Sequence, residues 1–198
     1  GAEHILAKRA ADEDAAKEIG RIVAEMERRA ESLGCDMRKG QPTPGNIAGG
    51  LSTIEEKSLG AIMKSGNRAI QGVLAYPDSA AGRKGLWIKD SPGREPEILT
   101  GMAATGAQCM LFSTGRGAPQ GFPSMPVIKI CGNPHTYQRM ENDMDVNAGL
   151  VILGEKSVRE IGEEVFALML DVLNGRQTKN EALGYFGSID IHTLGPVI

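Results

Sequence analysis

Residues 109–123, C-M-L-F-S-T-G-R-G-A-P-Q-G-F-P, combine the pattern of a buried strand with a glycine-rich loop. The short apolar run at 110–112 has the length of a buried strand, and it stops at the polar pair Ser113 and Thr114. The glycines of the loop permit positive φ angles and a close approach of the backbone to a ligand. Arg116 lies between two of these glycines, where its guanidinium can hold a carboxylate or a phosphate. The stretch therefore predicts a strand that ends in a site for a small anion.

Strand-like and helix-like patterns alternate on both sides of this stretch. The apolar segments of strand length are short and are bounded by glycine, proline or polar residues. The predicted strands lie at 69–75, 85–90, 110–112, 127–131 and 144–149, and the clearest helices at 12–33, 52–66, 97–105, 134–140 and 157–173. This alternation predicts an α/β layered fold with a mainly parallel sheet flanked by helices.

The sequence shows no internal repeat, low-complexity tract or linker after its first helix. We therefore predict one α/β domain at 37–198. Residues 1–36 carry an amphipathic helix, which we expect to connect to a neighbouring domain outside this chain.

Composition narrows the classes of partner. The 198 residues carry a net charge of −3 and only 4% aromatic side chains, which argues against nucleic acid as a partner. No apolar run approaches the length of about eighteen residues that a membrane span needs. The three cysteines form no C-x-x-C pair, which favours free thiols in a reducing compartment. We expect a cytoplasmic protein without a membrane partner.

Three polar loops, at 90–93, 113–121 and 145–149, follow predicted strands. In a parallel sheet the carboxyl ends of the strands share an edge, so these loops are expected to converge on a ligand. Arg116 would bind a carboxylate there, and Ser113 and Thr114 would offer hydroxyl groups. A glycine-rich turn with a surface arginine explains the same residues equally well.

Asp145 and Asn147 lie two residues apart and would face the same side of a strand. A carboxylate beside an amide suits hydroxyl recognition or proton transfer. A turn-forming pair before Gly149 is an equal alternative.

The segment S-T-I-E-E-K at 52–57 predicts a helix start with a capping box formed by Ser52 and Glu55. Glu56 or Lys57 could then serve as an acid–base group at the helix start. Asn46, in the preceding loop, could face the same ligand. His135 is a weaker site candidate, and no His, Cys, Asp or Glu set has the tight spacing of a metal site.

Three separated motifs resemble the C-terminal half of the altronate/galactarate dehydratase family. They are P-T-P-G-N-I-A-G-G-L-S-T-I-E-E-K-S-L-G at 42–60, F-S-T-G-R-G-A-P-Q-G at 112–121 and M-D-V-N-A-G at 144–149. The family includes altronate dehydratase, galactarate dehydratase and the large subunit of sulfolactate sulfo-lyase. The resemblance implies a lyase that removes the α proton of a hydroxy acid and expels water or sulfite, leaving an enol that becomes a 2-keto acid.

The resemblance also implies roles for the candidate residues. Catalytic acid–base roles fall to Glu56, Lys57 and Asp145, and substrate-binding roles to Asn46, Ser113, Thr114, Arg116 and Asn147. The implied cofactor is Fe²⁺ or another divalent metal, which we expect to be bound mainly by residues outside this chain, in the upstream part of the same enzyme. The implied substrate is a small anionic sugar acid, and association of identical chains stays open.

Two other functions stay open from the sequence. The chain could be a carboxylate-binding or assembly domain whose chemistry belongs to the upstream part. A nucleotide-binding α/β domain is a third reading, which the lack of a Walker or G-x-G-x-x-G pattern weakens.

Overall fold

The structure is a computed structural model that describes residues 1–37, 40–48, 50–187 and 189–193. The chain forms two compact units, the first made of Gly1–Ala75 and Gly82–Asp90, the second of Tyr76–Ala81 and Ser91–Ile198. Each unit has its own sheet, with two strands in the first and three in the second, and every strand pairing is parallel. The α/β class with parallel strands is confirmed, but the strands belong to two small sheets. The domain bounds at 1–36 and 37–198 stay a prediction.

The first unit contains helices and the two-stranded sheet. Its elements are α1 (Glu3–Ala7), α2 (Glu13–Ser32), α3 (Pro44–Ala48), α4 (Ile54–Met63), β1 (Ile70–Leu74) and β2 (Leu86–Lys89). Helix α2 begins at the predicted place because the Asp12 carboxylate accepts the amide of Ala15 at 2.8 Å. Its apolar stripe buries Ile19, and the helix packs against β1.

Two predictions for the first unit are wrong in detail. The segment at 37–51 is rich in proline and glycine and shows no periodicity, which predicts an irregular loop, but Pro44–Ala48 form the short helix α3. Helical periodicity predicts an apolar face for α4 made of Ile54, Leu59, Ile62 and Met63. This face is only partly covered, because Leu59 and Met63 are exposed while the other two are half-buried. A periodic stripe predicts which residues share a face, and it does not say that another surface covers them.

The second unit contains the three-stranded sheet. Its elements are α5 (Glu95–Thr105), β3 (Met110–Thr114), β4 (Val127–Cys131), α6 (Pro134–Arg139), β5 (Val146–Asn147), a 3₁₀ helix (Ala148–Val151), α7 (Val158–Leu173) and α8 (Lys179–Ala182). The strand order is β3-β4-β5, so β4 is central and all but one of its residues are buried. Strand β3 continues through Ser113 and Thr114, two residues beyond its apolar run.

The core of the second unit lies where α5 meets β3 and β4. Leu99, Phe122, Met125 and Val127 are buried together there. Half-buried apolar residues pack around this cluster, namely Met102, Ala103, Ala107, Met110 and Phe112.

The segment S-V-R-E at 157–160 predicts a capping box, and helix α7 begins there. The Ser157 side chain accepts the amide of Glu160, and the Glu160 carboxylate accepts the amide of Ser157. Its inner face buries Ile161 and Val172, whereas Val158, which the apolar periodicity assigns to the same stripe, is exposed. Within the described ranges, no helix combines the length and the apolar character that crossing a membrane requires.

Candidate functional site

The carboxyl ends of β3, β4 and β5 lie in register at one edge of the sheet. Thr114 pairs with Cys131, and Cys131 pairs with Asn147. The loops at 113–121 and 145–149 therefore follow the same edge, as predicted. The loop at 90–93 follows β2, which belongs to the other sheet, so the sheet geometry does not connect it with them.

A tight turn at the end of β3 carries Arg116. The Thr114 hydroxyl accepts the amide of Gly117 at 3.1 Å, and Thr136 donates its hydroxyl to the carbonyl of Gly115 at 2.9 Å. Gly117 has a φ of 88°, and a Cβ there would lie 2.2 Å from the sulfur of Met140. Glycine is favoured at that position because other residues are strained at this φ, and because a Cβ would force the Met140 side chain to move.

Arg116 stands at the exposed tip of this turn. In the part of the chain that the structure describes, its guanidinium has no hydrogen bond and no ion pair. All five of its N–H donors are therefore available to a ligand. Ser113, the other polar residue at the tip of β3, is also exposed, while Thr114 is half-buried and already engaged in the turn.

Asp145 has both carboxylate oxygens occupied. Its Oδ2 accepts the backbone amide of Lys129 at 2.7 Å, and its Oδ1 accepts the backbone amide of Lys179 at 2.9 Å. The carboxylate thus joins the central strand β4 to helix α8. The base role of Asp145 stays a prediction, and this geometry favours a structural role for its charge.

Asn147 forms a local turn. Its Oδ1 accepts the amide of Gly149 at 3.1 Å, which is the turn-forming arrangement considered from the sequence. Gly149 has no space for a side chain, since a Cβ there would lie 2.5 Å from the nitrogen of Pro134. The turn is thereby pressed against the start of α6.

Helix α6 presents different faces to the two loops. Thr136 and Met140 contact the loop of Arg116 at Gly115 and Gly117. The other side of the helix borders a cavity of about 340 Å³, lined by Pro134, His135, Tyr137, Gln138, Glu141, Asn147 and Leu153. The structure therefore places Asn147, with His135, on a different face of α6 from the loop that carries Arg116.

Lys129 is a buried charge that the sequence reasoning missed. Its side chain is 0% exposed, and its Nζ lies 2.7 Å from the Oε1 of Glu95. The ammonium also lies 4.3 Å from the ring centre of Phe112. Burial lowers the pKa of Lys129, and the Glu95 carboxylate opposes that shift. A lysine within the apolar run V-I-K-I-C was the signal that could have revealed it.

In the first unit, the structure brings Lys57 and Asn46 together. The Nζ of Lys57 donates to the Oδ1 of Asn46 at 3.0 Å and also to the side-chain oxygen of Gln41. The same Asn46 oxygen accepts the amide and the hydroxyl of Thr43, at 3.1 Å and 2.9 Å. The Lys57 side chain is half-buried, and its ammonium group donates to the neutral amide oxygens of Gln41 and Asn46. It has no carboxylate partner among the described residues.

The cap of helix α4 is shifted by one residue from the prediction. Thr53, not Ser52, is the N-cap, and its hydroxyl accepts the amide of Glu56 at 3.1 Å. The Glu56 carboxylate accepts the amide and the hydroxyl of Ser52, both at 2.8 Å, so the capping role assigned to Glu55 belongs to Glu56. The hydrogen bond from the Ser52 amide has the largest effect and the bond from the Ser52 hydroxyl the next largest, and both lower the pKa of Glu56. The Glu56 carboxylate is therefore a weaker base.

A divalent metal does not fit the described residues by themselves. Over those residues, no group of three or more His, Cys, Asp and Glu side chains could hold a metal ion. Cys131 is buried, and its sulfur lies 3.3 Å from the carbonyl oxygen of Asn133. The expectation that the metal ligands lie mainly outside this chain stays a prediction.

Comparison with known proteins identifies the family of the chain. The model of the family described as D-galactarate/altronate dehydratase, C-terminal, matches residues 1–195. The chain belongs to this family, as its three motifs predicted.

Relatives with known names span two reactions. The chain is 40% identical over 190 residues to the (2R)-sulfolactate sulfo-lyase subunit beta of Chromohalobacter salexigens, covering 93% of this chain and 48% of that protein. It is 35% identical over 197 residues to the galactarate dehydratase (L-threo-forming) of Escherichia coli, covering 98% and 37%. It is 35% identical over 183 residues to the altronate dehydratase of Bacillus subtilis, covering 91% and 36%. The chain thus spans half or less of the length of these relatives.

Proposed function

We propose that the chain forms the C-terminal part of a lyase that dehydrates a hydroxy sugar acid of the altronate or galactarate type to a 2-keto-3-deoxy acid. The family match over residues 1–195 supports this class of reaction. The observation that carries the proposal is Arg116, an exposed guanidinium without a partner among the described residues, held between two glycines at the carboxyl edge of the sheet.

Arg116 is proposed to bind the carboxylate of the sugar acid. Removal of the α proton moves negative charge onto the carboxylate oxygens, because the carbanion is delocalised into an enediolate. A guanidinium that donates two parallel hydrogen bonds to these oxygens binds the enediolate more strongly than the substrate. Such a difference lowers the barrier to proton removal and raises kcat.

The acid–base roles of Glu56, Lys57 and Asp145 stay predictions. A base must take the α proton, and an acid must protonate the leaving hydroxyl. Among the three, both Glu56 and Asp145 already accept backbone amides, whereas Lys57 is held only by side-chain oxygens. We therefore favour Lys57 for one of the two proton transfers. We also propose that the implied divalent metal takes its ligands mainly from outside this chain.

The proposal is tested by substituting Arg116 in the full-length protein. We expect Arg116→Ala to lower kcat/KM for the sugar acid by about 10²–10³-fold, the range for removing one stabiliser of a developing oxyanion. Arg116→Lys should recover only part of the loss, since an ammonium lacks the planar fork. Arg159→Ala, at an exposed arginine of α7, is the matched control and should keep the wild-type value. Wild-type kcat/KM in Arg116→Ala on altronate, galactarate and sulfolactate would refute the clamp.

A second candidate reaction is elimination of sulfite from sulfolactate. It is favoured by the 40% identity to a sulfo-lyase subunit, against 35% to the galactarate dehydratase. Both reactions need a clamp for the substrate carboxylate, so the proposed role of Arg116 does not distinguish between the two substrates. Assaying the wild-type protein for sulfite release from (2R)-sulfolactate, beside 2-keto acid formation from altronate and galactarate, decides between them.

A non-catalytic carboxylate-binding or assembly role is the remaining alternative. Calorimetry with altronate and galactarate tests it on the same variants. Arg116-dependent binding without any turnover would favour a binding domain, whereas turnover that depends on Arg116 would favour the lyase.

A further inference from the structure

A C-terminal segment at 178–185, which we call the strap, contacts the loop that carries Arg116. The side-chain amide of Asn180 donates to the carbonyl of Pro119. The carbonyl of Tyr185 accepts the amide of Gly121 at 2.9 Å. Because the amide of Tyr185 donates to the carbonyl of Asn180 at 2.9 Å, both contacts come from one folded segment.

The contact between strap and loop is closely packed. Asn180 is 0% exposed. A Cβ at Gly121 would lie 3.0 Å from the Cβ of Asn180 and 3.1 Å from the carbonyl oxygen of Tyr185. The strap and the loop can approach this closely because Gly121 has no side chain.

The strap is also connected to the sheet by hydrogen bonds. The Asp145 carboxylate accepts the backbone amide of Lys179 with one oxygen and that of Lys129, in β4, with the other. The Nζ of Lys179 donates to the carbonyl of Glu141 at 2.5 Å. The position of the strap is thereby fixed relative to the central strand.

Local sequence preorganises the strap. The Thr178 hydroxyl and the Glu181 carboxylate form a capping box, in which the Glu181 carboxylate accepts the amide of Thr178 at 2.8 Å. This box starts α8, which places Asn180 in its only turn, and Gly184 ends the turn with a φ of 67°.

The specific contribution of the asparagine at this position is its side-chain NH₂ group, which donates to the carbonyl of Pro119. Within the described residues, the Oδ1 of Asn180 is buried without a hydrogen-bond partner. An apolar side chain of the same size could fill the same space, but it would leave the carbonyl of Pro119 without this donor. What an apolar side chain cannot supply is the hydrogen bond to Pro119.

The geometry points to Asn180 as a positioning residue for Arg116. The turn around Arg116 is closed on both sides by the bonds of Gly115 and Gly117, and the loop is attached further along by the strap at Pro119 and Gly121. Loss of the attachment at the strap would let the closed turn shift as a unit, and Arg116 would move with it from the position in which it meets the carboxylate. This inference rests on the proposed function, in which Arg116 is the carboxylate clamp.

The first measurement does not depend on activity. In the full-length protein, Asn180→Leu keeps the size of the side chain and removes the bond to Pro119. We expect the amide of Gly121 to exchange with deuterium at least about tenfold faster, since one attachment of its segment is lost. Gly121→Ala perturbs the same contact from the side of the loop and should act in the same direction. Asn174→Leu and Gly162→Ala are the matched controls at exposed positions of α7 and its end.

The second measurement asks whether Asn180 acts through Arg116. We expect Asn180→Leu to lower kcat/KM about tenfold in the wild-type background and to have no further effect in Arg116→Ala, as coupled residues do. Additive losses, or unchanged exchange at Gly121, would overturn the positioning role. If Arg116→Ala loses activity while Asn180→Leu keeps it, the strap inference fails alone. If Arg116→Ala itself keeps full activity, the proposed clamp fails, and the positioning role fails with it.

Discussion

Two cations of the same sheet, Arg116 after β3 and Lys129 in β4, have opposite surroundings. Arg116 is exposed and has no partner among the described residues. Lys129 is 0% exposed, pairs with Glu95 at 2.7 Å and lies against the ring of Phe112. A charge whose partners are all supplied by the chain belongs to the fold. A charge held at a fixed place without a partner is available to a ligand.

The contrast also bears on the carboxylate of Asp145, for which the sequence left a proton-transfer role and a turn-forming role equally open. Asp145 binds two backbone amides and thereby ties β4 to α8, so it resembles Lys129 in being fully partnered. Its charge stabilises the scaffold that carries the loop of Arg116. The following predictions test whether the partnered charges act on stability and the unpartnered one on activity.

The largest effect on stability is expected when the buried ion pair is broken. Glu95→Gln removes the carboxylate that pairs with the buried ammonium of Lys129, which leaves only the more distant charge of Asp145, and should lower the free energy of unfolding by about 3 kcal/mol. Lys129→Met should cost much less, because Glu95 is 23% exposed and can be hydrated. Urea unfolding measures both, with Glu163→Gln on the exposed face of α7 as control. Equal losses in Glu95→Gln and Lys129→Met would contradict the asymmetry.

A smaller loss is expected at Asp145. Asp145→Asn turns one acceptor oxygen into an NH₂ group that faces a backbone amide, which should lower the free energy of unfolding by about 2 kcal/mol. Asp143→Asn, two residues earlier, is the matched control, since the Asp143 side chain has no hydrogen bond among the described residues. If Asp145→Asn instead keeps wild-type stability and loses most of its activity, the predicted base role is right.

The fold was predictable where local patterns decide it. The Ser157 and Glu160 box set the start of α7, and the apolar run V-I-K-I-C gave β4. The pairing of strands was not predictable, because a strand pattern carries no information about which strand lies beside it. The division of the parallel strands into two sheets could therefore not be read from the sequence.

The position of the candidate site was also predictable only where local sequence decides it. The glycine spacing around Arg116 is local, and the structure places that arginine at the expected edge. Asn180 and Lys129 were missed because their partners lie 61 and 34 residues away along the chain. The cap of α4 was misplaced because both Ser52 with Glu55 and Thr53 with Glu56 satisfy the capping pattern, and only the structure distinguishes the two.

A third effect is expected in the pH dependence of stability. Burial lowers the pKa of Lys129 in the folded state below its ordinary value of 10.5. Between the lowered pKa and 10.5 the unfolded chain binds more protons than the folded chain, so this lysine makes stability rise with pH in that window. Below the lowered pKa, Lys129 is protonated in both the folded and the unfolded chain, and its unfavourable contribution to stability has its full size. The free energy of unfolding, measured with denaturant across pH 7–10.5, should rise less steeply with pH in Lys129→Met than in wild type. Identical slopes in the two proteins would contradict this prediction.

The smallest effect on stability is expected at Arg116, and it completes the comparison. Arg116→Ala removes an exposed side chain that bonds to no described residue, so the free energy of unfolding should change by no more than about 0.5 kcal/mol. The turn itself should persist, because it is closed by Thr114, Gly117 and Thr136. Urea unfolding of Arg116→Ala beside Glu95→Gln measures the difference directly. A loss at Arg116 as large as that at Glu95 would show that the guanidinium has a partner in the folded protein, and its assignment as a free clamp would then be wrong.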